Sequence, residues 1–341
     1  MTVTQAATQT MHAVWYEQKG EAQTVLQYGE MNVPDVGAGQ VRVRVHASGV
    51  NPSDTKARSG WGGDMTMPYP RIIPGQDGAG VIDRIGAGVP ESRLGERVWL
   101  YESQRAQAFG TAAEYVVVPN HKAVHLPDNT DFAQGACLGV PAMTSHRCMF
   151  ADGSIKGQTI LVTGGAGAVS YYALQWAKWG GAKVITTVSR PEQEQLVKSV
   201  GADEIINYKT ENVIERIQTI TGQARGIDRI VDVDLSANLD VAAAVLKLNC
   251  SVNTYNAGAP TNRLEIPAQT FLVNGTILRF VLVYVMPDAA KQQAIGDITA
   301  ALEAGALQHN IAKRFQLSEV AAAHEAQDSG KMMGKAIVEI H

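Results

Sequence analysis

The pattern of apolar and polar positions changes near residue 130. Before it, the run 41–46 (VRVRVH) alternates valine with charged or polar residues, which is typical of a half-exposed strand. Similar short runs lie at 80–85, 97–100 and 114–118, and turn residues separate them. Residues 11–128 are therefore predicted to be rich in β-strands.

After about residue 130, apolar runs of strand length alternate with helical patterns. Strands are predicted at 159–163, 183–188, 204–207, 229–233, 251–255 and 277–284, and helices at 168–179, 192–200, 211–220 and 237–247. A helical pattern at 289–304 and a short strand at 335–340 follow. This alternation predicts a parallel sheet with helices on both faces.

Residues 158–181 carry the most informative motif. An apolar strand meets a glycine-rich turn, and a helical pattern starts immediately after it. Glycines let the backbone approach a pyrophosphate, and the start of the helix offers free N–H groups and a positive dipole end. We therefore expect a nicotinamide dinucleotide to bind there; a turn that binds nothing is the alternative. The expected contacts are Gly164, Gly165, Ala166, Gly167, Ala168 and Val169.

The segment 186–191 (TTVSRP) bears on the choice between NAD and NADP. NAD sites place an acidic residue about 20 residues beyond the glycines to bind the ribose 2′-OH, and this segment has none. Ser189 and Arg190 instead fit a 2′-phosphate, since arginine makes charge-assisted contacts with phosphate. We therefore expect NADPH ahead of NADH. Alternatively, Ser189 and Glu192 have the spacing of a capping box that starts a helix, and both interpretations can hold together.

Composition narrows the classes of partner and the compartment. The 341 residues carry a net charge of −4 without a Lys/Arg cluster, which argues against nucleic acid and anionic membranes. No apolar run is long enough to span a bilayer. The polar first ten residues predict a loose tail and no signal peptide. Three cysteines without CxxC spacing predict reduced thiols in the cytoplasm.

Further motifs together resemble one known family. They are GVNPSD at 49–54, PGQDGAG at 74–80, GTAAEY at 110–115, the glycine-rich turn, GAD with INY within 201–208, and SGK with GK within 329–335. From about residue 12 onwards, the chain resembles the zinc-independent quinone oxidoreductases of the medium-chain dehydrogenase/reductase superfamily, the group that includes zeta-crystallin.

This resemblance implies a fold and an assembly. A GroES-like, β-rich catalytic domain would comprise residues 1–129 and 286–341, and a Rossmann domain with a doubly wound parallel sheet would comprise residues 130–285. An active-site cleft at their junction and a homodimer joined through the last Rossmann strand, residues 276–284, are implied as well.

The resemblance also separates the chain from zinc-dependent relatives. Those carry a Cys where this chain has Asn51, and a His-Glu pair where it has Gln76 and Asp77. The third ligand position falls at Val140. Catalytic zinc needs three Cys, His or carboxylate ligands, so no metal is expected.

The implied reaction is hydride transfer from C4 of NADPH to a quinone or another conjugated carbonyl. Asn51 is expected to bond the substrate oxygen or the nicotinamide amide, Asp54 to orient its loop, and Thr144 to bond the carboxamide. The alternatives are a turn before Pro52 for Asn51, a helix cap for Asp54, and a hydroxyl bonded to its own backbone for Thr144.

Other residues are expected around the cofactor and the substrate. Tyr208, Tyr255 and Asn256 are expected near the cofactor, with a core tyrosine as the alternative for both tyrosines. In the long loop 59–74, Trp61, Met65 and Tyr69 are expected to line an apolar substrate pocket, or instead to fill a domain interface.

The chain also departs from the family pattern. Ser170 replaces a glycine and is expected to alter how the helix packs. Gln193 stands where some relatives have a lysine, which leaves the 2′-phosphate to Arg190. Lys331 and Lys335, near the C-terminus, are interpreted as solvated lysines; the alternative is that they reach the cofactor.

Three functions stay open at this point. The leading hypothesis is an NADPH-dependent quinone reductase. The alternative within enzymes is a reductase of activated alkenes, such as 2-alkenals, enones or unsaturated acids. The alternative of another class is an NADPH-binding structural or regulatory protein with little catalysis.

Overall fold

The chain divides into two units that differ in architecture. The computed structural model describes residues 9–259 and 261–341. The described residues up to Val140, together with Ile311–His341, form the first unit, and Pro141–Asn310 forms the second. Most of the predicted tail, residues 1–8, lies outside the described residues.

The elements of the described residues are labelled in chain order. The strands β1–β15 are Thr10–Trp15, Gln27–Asn32, Gln40–Val50, Asp77–Ile85, Arg97–Leu100, Tyr115–Pro119, Ala123–His125, Thr159–Val162, Lys183–Val188, Glu204–Asn207, Ile227–Asp232, Leu246–Thr254, Ile277–Phe280, Ile311–Gln316 and Lys335–Glu339. The helices α1–α11 are Ala22–Val25, Pro52–Ser59, Phe132–Gly135, Gly139–Phe150, Ala168–Trp179, Pro191–Ser199, Val213–Thr221, Leu235–Val245, Ala268–Asn274, Asp288–Glu303 and Val320–Asp328.

The first unit is built on a seven-stranded sheet in the order β14-β15-β3-β4-β5-β7, with β6 also paired to β3. The valines at 41, 43 and 45 are buried in its core, as the alternation of β3 predicts. Arg42 is buried as well, because its guanidinium forms two-pronged hydrogen bonds with Asp83. The β-rich architecture that was expected for this part of the chain is confirmed.

The second unit contains a parallel six-stranded sheet in the order β10-β9-β8-β11-β12-β13. The chain starts in the middle at β8, extends outwards to β10, and then returns to fill the other side with β11–β13. This is the doubly wound arrangement that was predicted, and its reversal beside β8 is where such sheets bind ligands. The predicted last strand, 277–284, ends at Phe280, since Val283–Val285 forms a short 3-10 turn.

The divisions between the units lie later in the chain than the expected boundaries at 129 and 285. In the second unit, His146 Nε2 on α4 lies 2.7 Å from Asp297 Oδ2 on α10. Ala294, Ile298, Ala301 and Leu302 of α10 are also buried. Residues 286–310 therefore group with the second unit. Among the described residues, no helix combines the length and the apolar character that crossing a bilayer requires.

Candidate functional site

The glycine-rich turn after β8 is shaped by close backbone packing. Gly164 has a φ of 61°, a conformation that favours glycine. At Gly165, a Cβ atom would lie 2.3 Å from Thr186 Oγ1 on β9. Thr187 closes the turn from the same strand, since its Oγ1 accepts a hydrogen bond from Gly164 N at 3.0 Å. The turn therefore lies directly against the second strand of the sheet.

Helix α5 starts at Ala168, as the apolar pattern predicts, and its N-cap is the exposed Gly167. Glycine has no side chain with which to cap the helix. The first N–H groups of a helix lack partners within the helix and carry the positive end of its dipole. This helix start therefore fits an anionic group such as a diphosphate.

Ser170 is fully buried just inside α5. Its Oγ donates to the carbonyl oxygen of Thr163 at 2.8 Å and lies 2.8 Å from the hydroxyl of Tyr255. Because the serine proton goes to Thr163, the tyrosine hydroxyl donates to Ser170. The hydroxyl of Tyr255 is thus hydrogen-bonded inside the unit. Burial raises the pKa of Tyr255. Only its ring stays available for the predicted contact with the cofactor.

The end of β9 carries the residues that were predicted to select the phosphate. Gln193 Oε1 accepts hydrogen bonds from Ser189 N at 2.8 Å, Ser189 Oγ at 3.1 Å and Arg190 N at 3.2 Å. The predicted capping box between Ser189 and Glu192 is therefore wrong. Gln193 instead accepts the hydrogen bonds of the two residues that precede α6. Arg190 is exposed and forms no ion pair with any described residue.

Tyr208 lies beside this segment at the end of the neighbouring strand. Asn207 pairs with Val188, which places Tyr208 and Ser189 at the same end of the sheet. The Tyr208 ring is 46% exposed, and Lys209 Nζ lies 5.2 Å from its centroid. Sequence reasoning missed Lys209, although a cation next to a predicted cofactor contact was a usable signal.

The first unit contains a buried polar cluster around Asn51. Asn51, Asp77 and Lys335 are 2%, 0% and 3% exposed. Asn51 Nδ2 donates to Asp77 Oδ2 at 2.8 Å, while Lys335 Nζ donates to Asn51 Oδ1 and, at 3.1 Å, to Asp77 Oδ2. The interpretation of Lys335 as a solvated lysine is therefore wrong; Lys331 is exposed, as expected.

Asp77 accepts hydrogen bonds at both carboxylate oxygens, since Val140 N donates to its Oδ1 at 2.9 Å. Burial raises the pKa of Asp77, and the Lys335 ammonium and the donors from Asn51 and Val140 oppose that rise. A proton on either oxygen would displace one of these donors. The contacts therefore favour the carboxylate form of Asp77.

Asp54 is the second buried acid of the cluster, and it caps α2 as one alternative predicted. Its Oδ2 accepts from Asn51 N at 2.8 Å, while its Oδ1 has no partner. Burial raises the pKa of Asp54 to about 7, and the charge of Asp77 adds to the rise. Hydrogen bonds from Asn51 and the charge of Lys335 act in the opposite direction.

The remaining predicted site residues lie in different surroundings. Thr144 is 5% exposed on α4, and Asn256 is half-buried after β12. Trp61 and Met65 are 43% and 55% exposed, and Lys56 Nζ lies 4.1 Å from the Trp61 ring centroid. Tyr69 is half-buried and packs against a small cluster of Tyr16, Val25 and Ile72. Tyr69 thus packs inside the first unit, whereas Trp61 and Met65 are exposed, and their role in a substrate pocket stays a prediction.

The described residues contain no group of three His, Cys, Asp or Glu side chains that could hold a metal ion. The position where zinc relatives have a cysteine is held by the Asn51 amide, which contacts an ammonium and a carboxylate.

Comparison with known proteins adds to this geometry. Two family models match the chain: the alcohol dehydrogenase GroES-like domain over residues 37–128 and the zinc-binding dehydrogenase domain over residues 168–298. The chain is 31% identical to the quinone oxidoreductase of Rattus norvegicus over 332 residues, which cover 96% of this chain and 97% of that protein. It is 28% identical to the 2-haloacrylate reductase of a Burkholderia species, over 91% of this chain and 93% of that protein.

A solved structure supports the same fold. The quinone oxidoreductase of Escherichia coli, in complex with NADPH, aligns with a TM-score of 0.82 at 24% identity. The alignment covers 96% of this chain and 99% of that one.

Proposed function

Since the chain belongs to the quinone oxidoreductase branch of the medium-chain dehydrogenase/reductase superfamily and is an oxidoreductase, we propose that it reduces quinones or other conjugated carbonyls with NADPH. The start of α5 is the observation that carries the proposal: its N-cap Gly167 has no capping side chain, and the turn before it packs tightly against β9 at Gly165. The free thiols of Cys137, Cys148 and Cys250 fit the cytoplasmic location that we also propose.

The second unit offers a binding surface that fits the coenzyme. The first N–H groups of α5 bind the diphosphate, and Arg190 binds the 2′-phosphate. Tyr208 and the ring of Tyr255 contact the remainder of the coenzyme, and Thr144 bonds the carboxamide. The relative from Escherichia coli, which was solved with NADPH, supports this choice of cofactor.

The first unit supplies the group that binds the acceptor. When bound, NADPH supplies a hydride from C4 of its nicotinamide, and the proton that completes the reduction comes from solvent. An amide nitrogen carries two protons, and Asn51 donates one of them to Asp77. We assign the other to the acceptor oxygen, where negative charge develops as the hydride arrives. Asp54 fixes the backbone of Asn51.

An activated alkene is the second candidate acceptor. The observation that favours it is the likeness to a 2-haloacrylate reductase over nearly the whole chain. The same hydride would then reach the β-carbon of an unsaturated acid or enone, and Asn51 would bind the carbonyl oxygen that withdraws charge.

Turnover on two acceptor panels tests the proposal. NADPH oxidation is followed by its absorbance with a series of quinones and with a series of enones and unsaturated acids, before and after dialysis against a chelator. We expect turnover on at least one panel, unchanged by the chelator because no metal takes part. Tight NADPH binding without turnover on either panel would instead favour a structural or regulatory protein.

Arg190→Ala is expected to weaken NADPH binding by about 1–3 kcal/mol and to leave NADH binding almost unchanged, because only NADPH carries the 2′-phosphate. Dissociation constants from fluorescence titration of both coenzymes measure this. Lys198→Ala, at the exposed far end of α6, is the matched control for the loss of one positive charge. Equal losses for NADPH and NADH in Arg190→Ala would reject the role of Arg190.

We also propose a homodimer joined through β13. Within the sheet of the second unit, β13 is an edge strand that pairs only with β12. Large apolar side chains around it are exposed, at 75% for Leu272, 60% for Phe280 and 65% for Val285. An apolar edge strand is a ready surface for pairing with a second copy.

The double change Phe280→Lys and Val285→Lys is expected to convert a dimer into a monomer, because charges would be buried in the interface. Light scattering coupled to size-exclusion chromatography measures the mass. Leu94→Lys, at a leucine of the first unit that is 54% exposed, is the control and should leave the mass unchanged. A monomeric wild-type protein would contradict the proposed dimer.

A further inference from the structure

Three neighbouring strands of the first unit bring the Asn51 cluster together. In the sheet, β3 lies between β15 and β4. Ala336 pairs with Val50, and Asp77 pairs with Gly49. Lys335 and Asp77 therefore flank Asn51 from both sides at the same end of the sheet, so the contacts of the three side chains follow from strand register.

The chemistry of these three groups permits only one orientation of the Asn51 amide. A lysine ammonium has donors and no acceptor, and a carboxylate has acceptors and no donor. The amide must therefore present its oxygen to Lys335 and its nitrogen to Asp77, as the observed contacts have it. A flipped amide would place a donor against the ammonium and an acceptor against the carboxylate.

We propose that Lys335 is a positioning residue of the reductase, because it locks the Asn51 amide in the orientation that presents a proton to the acceptor oxygen. This inference rests on the proposed function, in which Asn51 binds that oxygen. Lys335 acts in two ways: it bonds the amide oxygen directly, and its charge keeps Asp77 an acceptor. Without the ammonium, a protonated Asp77 could donate to the amide oxygen, and both orientations of Asn51 would then be satisfied.

The arrangement in the protein itself argues for this role. Lys335 is 3% exposed, and its ammonium contacts the amide oxygen as well as the carboxylate. A lysine that served only to balance the charge of Asp77 would need a contact with that carboxylate alone. The second contact makes the amide orientation depend on the lysine.

A kinetic double-mutant cycle tests whether Lys335 acts through Asn51. Lys335→Met should lower kcat/KM for the acceptor by about tenfold or more, as misplaced groups do, with the NADPH dissociation constant within about twofold of wild type. Asn51→Ala should lower kcat/KM by at least the same factor. Adding Lys335→Met to Asn51→Ala should lower kcat/KM no further. Losses that multiply in the double variant would overturn the proposal, and so would full activity of Lys335→Met.

Two further variants separate this role from stability. Asp77→Asn with Lys335→Met removes the charge of Asp77 together with that of its cation and should fold, yet it should remain impaired, since an asparagine at 77 can meet either end of the Asn51 amide. Lys331→Met, four residues from Lys335 and exposed, should behave as wild type. Full activity in the double variant would show that Lys335 serves only to neutralise Asp77.

A spectroscopic readout makes the result independent of turnover. In protein labelled with 15N-asparagine, the side-chain amide protons of Asn51, assigned by their absence in Asn51→Ala, should be shifted and should exchange slowly with solvent. Lys335→Met should abolish this protection, and Lys331→Met should keep it. If the wild-type protein reduced no acceptor and still showed this pattern, the proposed function would fail while the locking of the amide stood. An Asn51 signal unchanged in Lys335→Met would refute the locking itself.

Discussion

Lys335→Met is expected to lower the free energy of unfolding by about 3–5 kcal/mol, because it leaves the fully buried carboxylate of Asp77 without its cation. The hydrogen bonds from Asn51 and Val140 remain, but they do not neutralise the charge. Urea denaturation at neutral pH, followed by circular dichroism, measures the change.

Two matched variants test whether this loss of stability comes from the buried ion pair. Lys331→Met also removes one positive charge and one long side chain, but at an exposed position, so its effect should stay within about 0.5 kcal/mol. Adding Asp77→Asn to Lys335→Met should recover part of the stability, since it removes the unpaired charge. Equal stabilities for the two lysine variants would contradict the buried pair.

Asp54→Asn is expected to flatten the dependence of stability on pH between about pH 4 and pH 7. The ordinary pKa of an aspartate is about 3.9, and burial with the nearby Asp77 raises that of Asp54 to about 7 in the folded protein. Between these values the folded state holds a proton that the unfolded state has lost, so stability falls as pH rises. Because one pKa unit corresponds to 1.36 kcal/mol, the free energy of unfolding falls by at most about 4 kcal/mol once the pH is above 7.

The comparison with Asp54→Asn isolates this group from its neighbours. Tyr16 and His324 lie near Asp54 in addition to Asp77 and Lys335, and Arg58 lies near Tyr16 and His324. Burial lowers the pKa of His324 to about 3, and burial with the charge of Asp54 raises that of Tyr16 to about 12, so neither changes charge between pH 4 and pH 8. Asparagine keeps an oxygen for Asn51 N. Parallel stability profiles from pH 4 to pH 8 would show that Asp54 is ionised throughout.

The second unit was the more predictable of the two. The strands at 183–188 and 204–207 and the helix at 168–179 have the predicted bounds, and the other elements of the alternation shift by a few residues. Buried parallel strands are continuous apolar runs, and glycine or polar residues end each of them, so periodicity locates them well. The last strand was overextended because the apolar run continues through Val281, Leu282 and Val283, although the strand itself ends at Phe280.

The first unit depends on contacts between distant parts of the chain. The predicted strand at 335–340 is observed as β15, but β14 at Ile311–Gln316 and the helix α11 were not predicted. In β14 only Phe315 is buried, so its pattern lacks the alternation of a typical strand. Its place at the edge of the sheet beside β15 follows from tertiary pairing.

Contacts between distant parts of the chain also limited the prediction of the site. Asn51 and Asp54 were singled out from a local motif, and both lie in the buried cluster, where their roles toward a substrate remain predictions. Lys335 was misjudged because a lysine between glycine and an apolar strand is usually solvated. Only the register of β15 against β3 brings it to Asn51.

The order of segments along the chain has a consequence for biosynthesis. Asp77 and Asn51 belong to the early part of the polypeptide, whereas their lysine partner is translated only after the whole of Pro141–Asn310. A ribosome-bound intermediate therefore carries an acid without its counterion until β15 emerges. Maturation of the first unit is expected to wait for that late strand, which leaves the inserted unit free to fold beforehand.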